Sequence, residues 1–132
     1  MRIVADTSTF LGVALEEPEK PRLIEITAGH ELIAPDVLPF EVGNALTTLV
    51  CKGRLHRDQV TAVWDVAQRI PVELRRTDIR SALALAGRFG IHAYDAYFIE
   101  CAVRLRAPLL TLDLKMRNVA KQVGVNVLEF AG

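Results

Sequence analysis

Apolar residues recur along the chain in two alternating rhythms. Short, nearly unbroken apolar runs occur at residues 2–6 (Arg-Ile-Val-Ala-Asp), 31–34, 70–74, 108–112 and 125–128. Runs of that length, rich in Val, Ile and Leu, predict buried strands. Between them the apolar positions fall at helical spacing. Helices are predicted from Thr7 to Leu15, from Pro21 to a stop at Gly29, and from an Asp36 cap to Cys51 or Lys52. Further helices are predicted over His56–Arg69, from a Thr77 cap to Phe89, from His92 or Ala93 to Arg106, and over Asp113–Val123. Val60, Val63, Trp64 and Ala67 form the apolar face of the fourth of these; core packing, a groove for a partner protein or a dimer contact would all use such a face. Gly53 and Gly90 punctuate two helix ends.

Strands separated by helices must pair in parallel through crossovers. The expected fold is an α/β three-layer sandwich, with a short, mainly parallel sheet of four to five strands flanked by helices. In such sheets a ligand site lies at the carboxyl ends of the strands. A chain of 132 residues, 51% hydrophobic and 24% charged, suits a single globular domain over 1–132.

Four acids stand out against this pattern. Asp6 and Asp113 each follow a strand-like run, while Glu41 and Asp95 have mainly apolar or small neighbours at helical spacing. Asp6 and Asp113 also precede helices, where a plain N-cap would explain them. Asp95 falls in a helix's first turn, where backbone N–H groups favour an anion. Glu41 could be a half-exposed acid at a helix start. Taken jointly, four acids brought to one sheet edge without a matching buried base call for a divalent cation. Ser8 and Thr111 each sit two residues from one of these acids and could orient a carboxylate or a water; capping and strand filling are the plainer alternatives. Asn44 shares a helical stripe with Glu41. His92 fits a capping or packing role better than that of a general base. Glu100 points off the Asp95 stripe and reads as a surface residue paired with Arg104.

The remaining composition narrows the field. The formal net charge is zero, which disfavours a strongly basic nucleic-acid binder. Basic residues nevertheless gather in the middle third, at Arg54, His56, Arg57, Arg69, Arg75, Arg76, Arg80 and Arg88. They form either a solvated helix surface or a rim facing phosphates. Cys51 and Cys101 are far apart and read as buried free thiols of a reducing compartment; no Cys or His cluster suggests zinc. Asp6 interrupts any signal-peptide core, and no apolar run reaches membrane length, so a cytoplasmic protein is expected.

Four segments in register carry a resemblance. They are Asp6-Thr7-Ser8 after a strand, Glu41-Val-Gly-Asn44-Ala45-Leu46 on a helix, Tyr94-Asp95-Ala96-Tyr97 opening a helix, and Pro108-Leu-Leu-Thr111-Leu-Asp113. In order and spacing they resemble the PIN-domain ribonucleases, specifically the VapC toxins of toxin–antitoxin pairs, across essentially the whole chain. The resemblance implies that Asp6, Glu41, Asp95 and Asp113 form a Mg²⁺ or Mn²⁺ pocket and act catalytically in RNA hydrolysis. It also implies a cognate antitoxin and a homodimer, with larger toxin–antitoxin assemblies in reach. One departure weakens a second metal site: some relatives carry a further acid just after the last position, whereas Leu114, Lys115 and Met116 follow Asp113 here.

Rival readings fit less well. A receiver domain needs an early acidic pair and a central phosphoacceptor Asp, yet Asp6 has no acidic neighbour and residues 50–57 contain no acid. A haloacid-dehalogenase-type phosphatase needs an acid where Ser8 stands. A non-catalytic module of the same fold, binding RNA or protein, would not need all four acids.

Overall fold

The computed structural model describes residues 1–128. Its centre is a four-stranded sheet in the order β3-β2-β1-β4, with β1 Arg2–Ala5, β2 Glu31–Pro35, β3 Glu73–Arg75 and β4 Leu109–Leu110. Every pairing is parallel, with Val4 opposite both Ile33 and Leu109. Around it lie α1 Thr7–Ala14, α2 Lys20–Thr27, α3 Leu38–Cys51, α4 Val60–Gln68, α5 Ile79–Phe89, α6 Ala93–Leu105 and α7 Leu114–Gln122.

Strand side chains alternate between the two sheet faces, and the core is accordingly split. Val4, Ile33 and Leu109 pack with Phe10, Leu38, Val42, Phe98 and Ala102. Ile3 and Leu110 pack instead with Leu23 of α2. Helices thus cover both faces, giving the expected three layers. On the α2 side Gly12 admits a close approach: a Cβ there would meet Leu23 Cδ1 at 2.9 Å and Leu112 Cδ1 at 3.2 Å. Gly90 ends α5 in the left-handed region at φ 65°, the conformation a helix-stopping glycine supplies cheaply. Among the described residues no helix is long and apolar enough to cross a membrane.

Several local expectations are corrected. The strand predicted over 70–74 is Glu73–Arg75, because Pro71 has no N–H for a ladder. The run at 125–128 contributes only one bridge, Leu109 to Val127, flanked by Leu109 N to Asn126 O and Leu128 N to Leu109 O, both at 2.9 Å. The fourth helix opens with a 3-10 turn at Arg57–Gln59 before α4 proper. Asp36 does not cap α3. Its Oδ1 accepts instead from the Thr77 hydroxyl at 2.7 Å and the Thr77 N–H at 3.2 Å. Thr77 is therefore occupied elsewhere, and Asp78 caps α5 through Ser81 N at 3.1 Å. Cys51 is exposed at the end of α3, whereas Cys101 is buried, and no disulfide joins them. Glu100 does pair with Arg104, but it is a buried residue, 7% exposed, because α6 lies directly against the sheet.

Candidate active site

Parallel strands carry their following residues to one edge, and β1 and β4 are neighbours there. Asp6 follows β1 directly, and Thr111 to Asp113 follow β4. The first turn of α6 brings Asp95 to the same edge, and the start of α3 brings Glu41. All four acids line one cavity of about 210 Å³, together with Thr7, Ser8 and Tyr94 and the apolar Leu11, Ala45, Phe98 and Met116. Each predicted acid is thus found in one place.

Asp6 is the most constrained of them. Its Oδ1 accepts from the Ser8 hydroxyl at 2.7 Å and from the Thr9 N–H at 3.2 Å, with the Thr9 hydroxyl at 3.1 Å. Its Oδ2 accepts only from the Thr111 hydroxyl, at 2.6 Å. A carboxylate offers about four acceptor sites, so Oδ2 is the oxygen with capacity left. Asp6 therefore does cap α1 while also facing the cavity. Asp113 is likewise both a cap, accepting from Met116 N at 3.0 Å, and a cavity residue. For these two, the cap and the site were never exclusive.

Ser8 and Thr111 stand beside Asp6 as expected. Ser8 Oγ also accepts from Leu112 N at 2.9 Å, and Thr111 Oγ1 accepts from Asp113 N at 2.9 Å. Each hydroxyl therefore ties the end of β1 to the segment after β4. Asn44 is exposed one turn along from Glu41 and hydrogen-bonds its carboxylate. Thr9 escaped the sequence reading; its position three residues after a capping Asp was the available signal.

Burial dominates the electrostatics. Removal from water pushes the Asp6 carboxyl above its ordinary range, against the pull of hydrogen bonds from Thr111, Ser8 and Thr9. Glu41 is raised by burial and further by the Asp95 charge, with Asn44 opposing. Asp95 is raised by burial and then by the neighbouring Asp113, while His92 and Lys115 draw it down. The acids thus destabilise one another as they stand, and Glu41 Oε2 is buried with no hydrogen-bond partner.

These features fit a hard divalent cation. The donors are carboxylate oxygens, and an orphaned buried oxygen has a role to fill. Among the described residues no three acids stand close enough to clasp an ion directly. Magnesium tolerates this, since it keeps several waters and takes only one or two carboxylates. A larger hollow of about 630 Å³ lies between Asp36, Arg76, Asp78 and Arg104 at the ends of β2 and β3. There Asp36 is held by Thr77, Asp78 by Ser81 and Arg104 by Glu100. It offers no comparable set of unsatisfied acids.

Comparison with known proteins bears on this geometry. Residues 3–122 match the family described as the PIN domain. The chain is 26% identical over 121 residues to Ribonuclease VapC3 of Pyrobaculum aerophilum, covering 88% of this chain and 92% of that protein. The crystal structure of PAE2754 from Pyrobaculum aerophilum superposes with a TM-score of 0.66 at 20% identity, over 90% of this chain and 87% of that one. That of VapBC2 from Rickettsia felis, bound to a DNA fragment from their promoter, gives 0.65 at 14% identity over 98% of both chains.

Proposed function

The chain belongs to the PIN-domain family, and from that premise we propose that it is a divalent-metal-dependent endoribonuclease acting as the toxin of a toxin–antitoxin pair. One observation carries the reading: four carboxylates share a single cavity at the carboxyl ends of neighbouring strands, one of them with a buried, unpartnered oxygen. Likeness to a relative named Ribonuclease VapC3 over most of both chains supports RNA as the substrate.

Asp6, through Oδ2, and Asp95 would bind Mg²⁺ or Mn²⁺ directly. Glu41 and Asp113 would act through water. Bound there, the ion would lower the pKa of a water and offset charge on the phosphate oxygens. The protein's own work lies around it. Ser8, Thr9 and Thr111 hold the Asp6 carboxylate in one orientation. Burial raises the proton affinity of the Glu41 carboxyl, the direction that suits a proton acceptor. Asn44 holds the Glu41 carboxylate by a hydrogen bond. An antitoxin that covers this cavity would silence it, and we place a homodimer and larger toxin–antitoxin assemblies in the same proposal.

Cleavage of structured and unstructured RNA, with Mn²⁺ or Mg²⁺ and with EDTA, tests the reading. Metal-dependent cleavage by the wild type that Asp95→Asn abolishes is expected. Equal cleavage by the variant would refute it. Millimolar metal should also raise the melting temperature, since a ligand at ten times its Kd stabilises by about 1.4 kcal/mol.

A further inference from the structure

An aromatic ring stands at the mouth of the acid cavity with no role in the chemistry above. Tyr94 precedes Asp95 in the first turn of α6, lines the cavity, and is 40% exposed. A tyrosine offers a large flat apolar ring with a polar tip, a form suited to a place that is half in water. Its orientation is held: the Tyr97 ring meets it edge to face, centroids 5.7 Å apart and planes at 84°. In a T-shaped pair one ring uses its edge, so at least one π-face of Tyr94 remains uncovered by Tyr97.

We propose that Tyr94 is the platform on which an unpaired base of the RNA stacks, next to the phosphate that is cut. This rests on the ribonuclease reading of the cavity and deepens it. A base on the ring places its own backbone over the acids, because ring and acids line one cavity. Lys115 lies within electrostatic reach of Asp95, so a cation stands near the acids to attract a phosphate. Base-paired strands hide their base faces in the helix and cannot use the ring. Single-stranded nucleic acid is commonly gripped by such aromatic platforms beside a charged groove. A protein segment could also cover a tyrosine, but it would not need the ring beside four carboxylates.

Binding of a fluorescent, unpaired oligoribonucleotide, in an Asp95→Asn background that does not cut, reads the stacking directly. Tyr94→Ala and Tyr94→Leu should weaken it roughly 5- to 150-fold, the range for loss of one stacked base, while Tyr94→Phe should hold it near the parent value. Leucine keeps the apolar bulk without the π-face and guards against a merely unfolded alanine variant, as do melting curves for each protein. In cleavage assays KM should rise more than kcat falls, and the preference for unpaired over fully duplex RNA should shrink. Unchanged affinity in both the Ala and Leu variants overturns the stacking and assigns the ring to a protein contact. Equal loss in Tyr94→Phe also overturns it, because the hydroxyl would then be the contact. If the wild type cuts no RNA with Mn²⁺, the ribonuclease reading falls by itself. The binding arm still decides: ring-dependent affinity keeps the stacking, and absent or ring-independent RNA binding ends it.

Discussion

The Thr111 hydroxyl donates to Oδ2 of Asp6 at 2.6 Å and accepts the backbone N–H of Asp113 at 2.9 Å. One fully buried side chain therefore sets the spacing of two acids that follow different strands. Thr111→Val keeps the shape and removes both bonds. Leaving buried polar groups without partners costs about 1–3 kcal/mol, which urea unfolding will register. The Asp6 carboxyl should move further upward, since Thr111 is the strongest group opposing its rise. Residues that orient metal ligands typically matter 10- to 100-fold, so Mn²⁺ affinity by calorimetry should fall by about that factor. Thr111→Ser should recover much of it.

The crowding of acids has a sign that a pH titration can read. Asp95 binds its proton more tightly folded than unfolded, where a free Asp titrates near 3.9. Between that value and the raised folded one, the native state holds more protons, so stability falls as pH rises. Metal-free Asp95→Asn escapes this penalty. Its melting temperature should exceed that of the wild type at neutral pH, and the gap should close as pH drops below about 4. Added Mg²⁺ should reverse the order, stabilising the wild type most. A metal-free variant less stable than wild type at pH 7 would remove the case for mutual repulsion.

The two thiols offer a simple check on the packing. Burial pushes the Cys101 thiol up to about 11, so almost no reactive thiolate exists there at neutral pH. Cys51 is exposed at the end of α3. Iodoacetamide at pH 7.5 should label Cys51 in the native protein and leave Cys101 untouched until denaturant is added; peptide mass mapping separates the two. Prompt labelling of Cys101 would mean that α6 does not pack against the sheet as described.

What could be read from the chain and what could not divide along sequence distance. Strand runs, helix periods and the Gly90 stop are local, and the acids after β1 and β4 inherit their place from the rule for parallel sheets. Asp36 departs from its expected capping role because its partner Thr77 lies 41 residues away, beyond the reach of any local rule. Its position just before a helix made capping the natural guess. Glu100 departs from its expected surface place for a related reason. An acid four residues before an arginine has the signature of a surface pair, and only the sheet beneath α6 makes it buried. That Asp6 and Asp113 are caps and cavity residues at once could not be decided from spacing, since both roles use the same position.

Glu100 and Arg104 lead to a final prediction. The Arg104 guanidinium meets both carboxylate oxygens, Nε to Oε2 at 3.0 Å and Nη2 to Oε1 at 3.1 Å, and Nη2 also reaches the Arg76 carbonyl at 3.0 Å. The pair thus fastens α6 to the segment joining β3 and α5. The partners are unequal: the Glu100 side chain is 9% exposed and that of Arg104 35%. Removing the arginine strands a buried charge, a loss of about 3–5 kcal/mol for fully buried pairs. Solvent on the arginine side discounts this, and about 2–3 kcal/mol is expected for Arg104→Ala. Glu100→Gln should cost less, because the amide keeps an acceptor and leaves no buried charge behind. Replacing both with leucine should come close to wild-type stability, as apolar pairs often match the ion pairs they replace. Chemical denaturation of wild type, Arg104→Ala, Glu100→Gln and the variant combining those two substitutions closes a double-mutant cycle, with the double-leucine protein measured beside them. An Arg104→Ala variant no less stable than Glu100→Gln would show that Glu100 is solvated and the pair superficial.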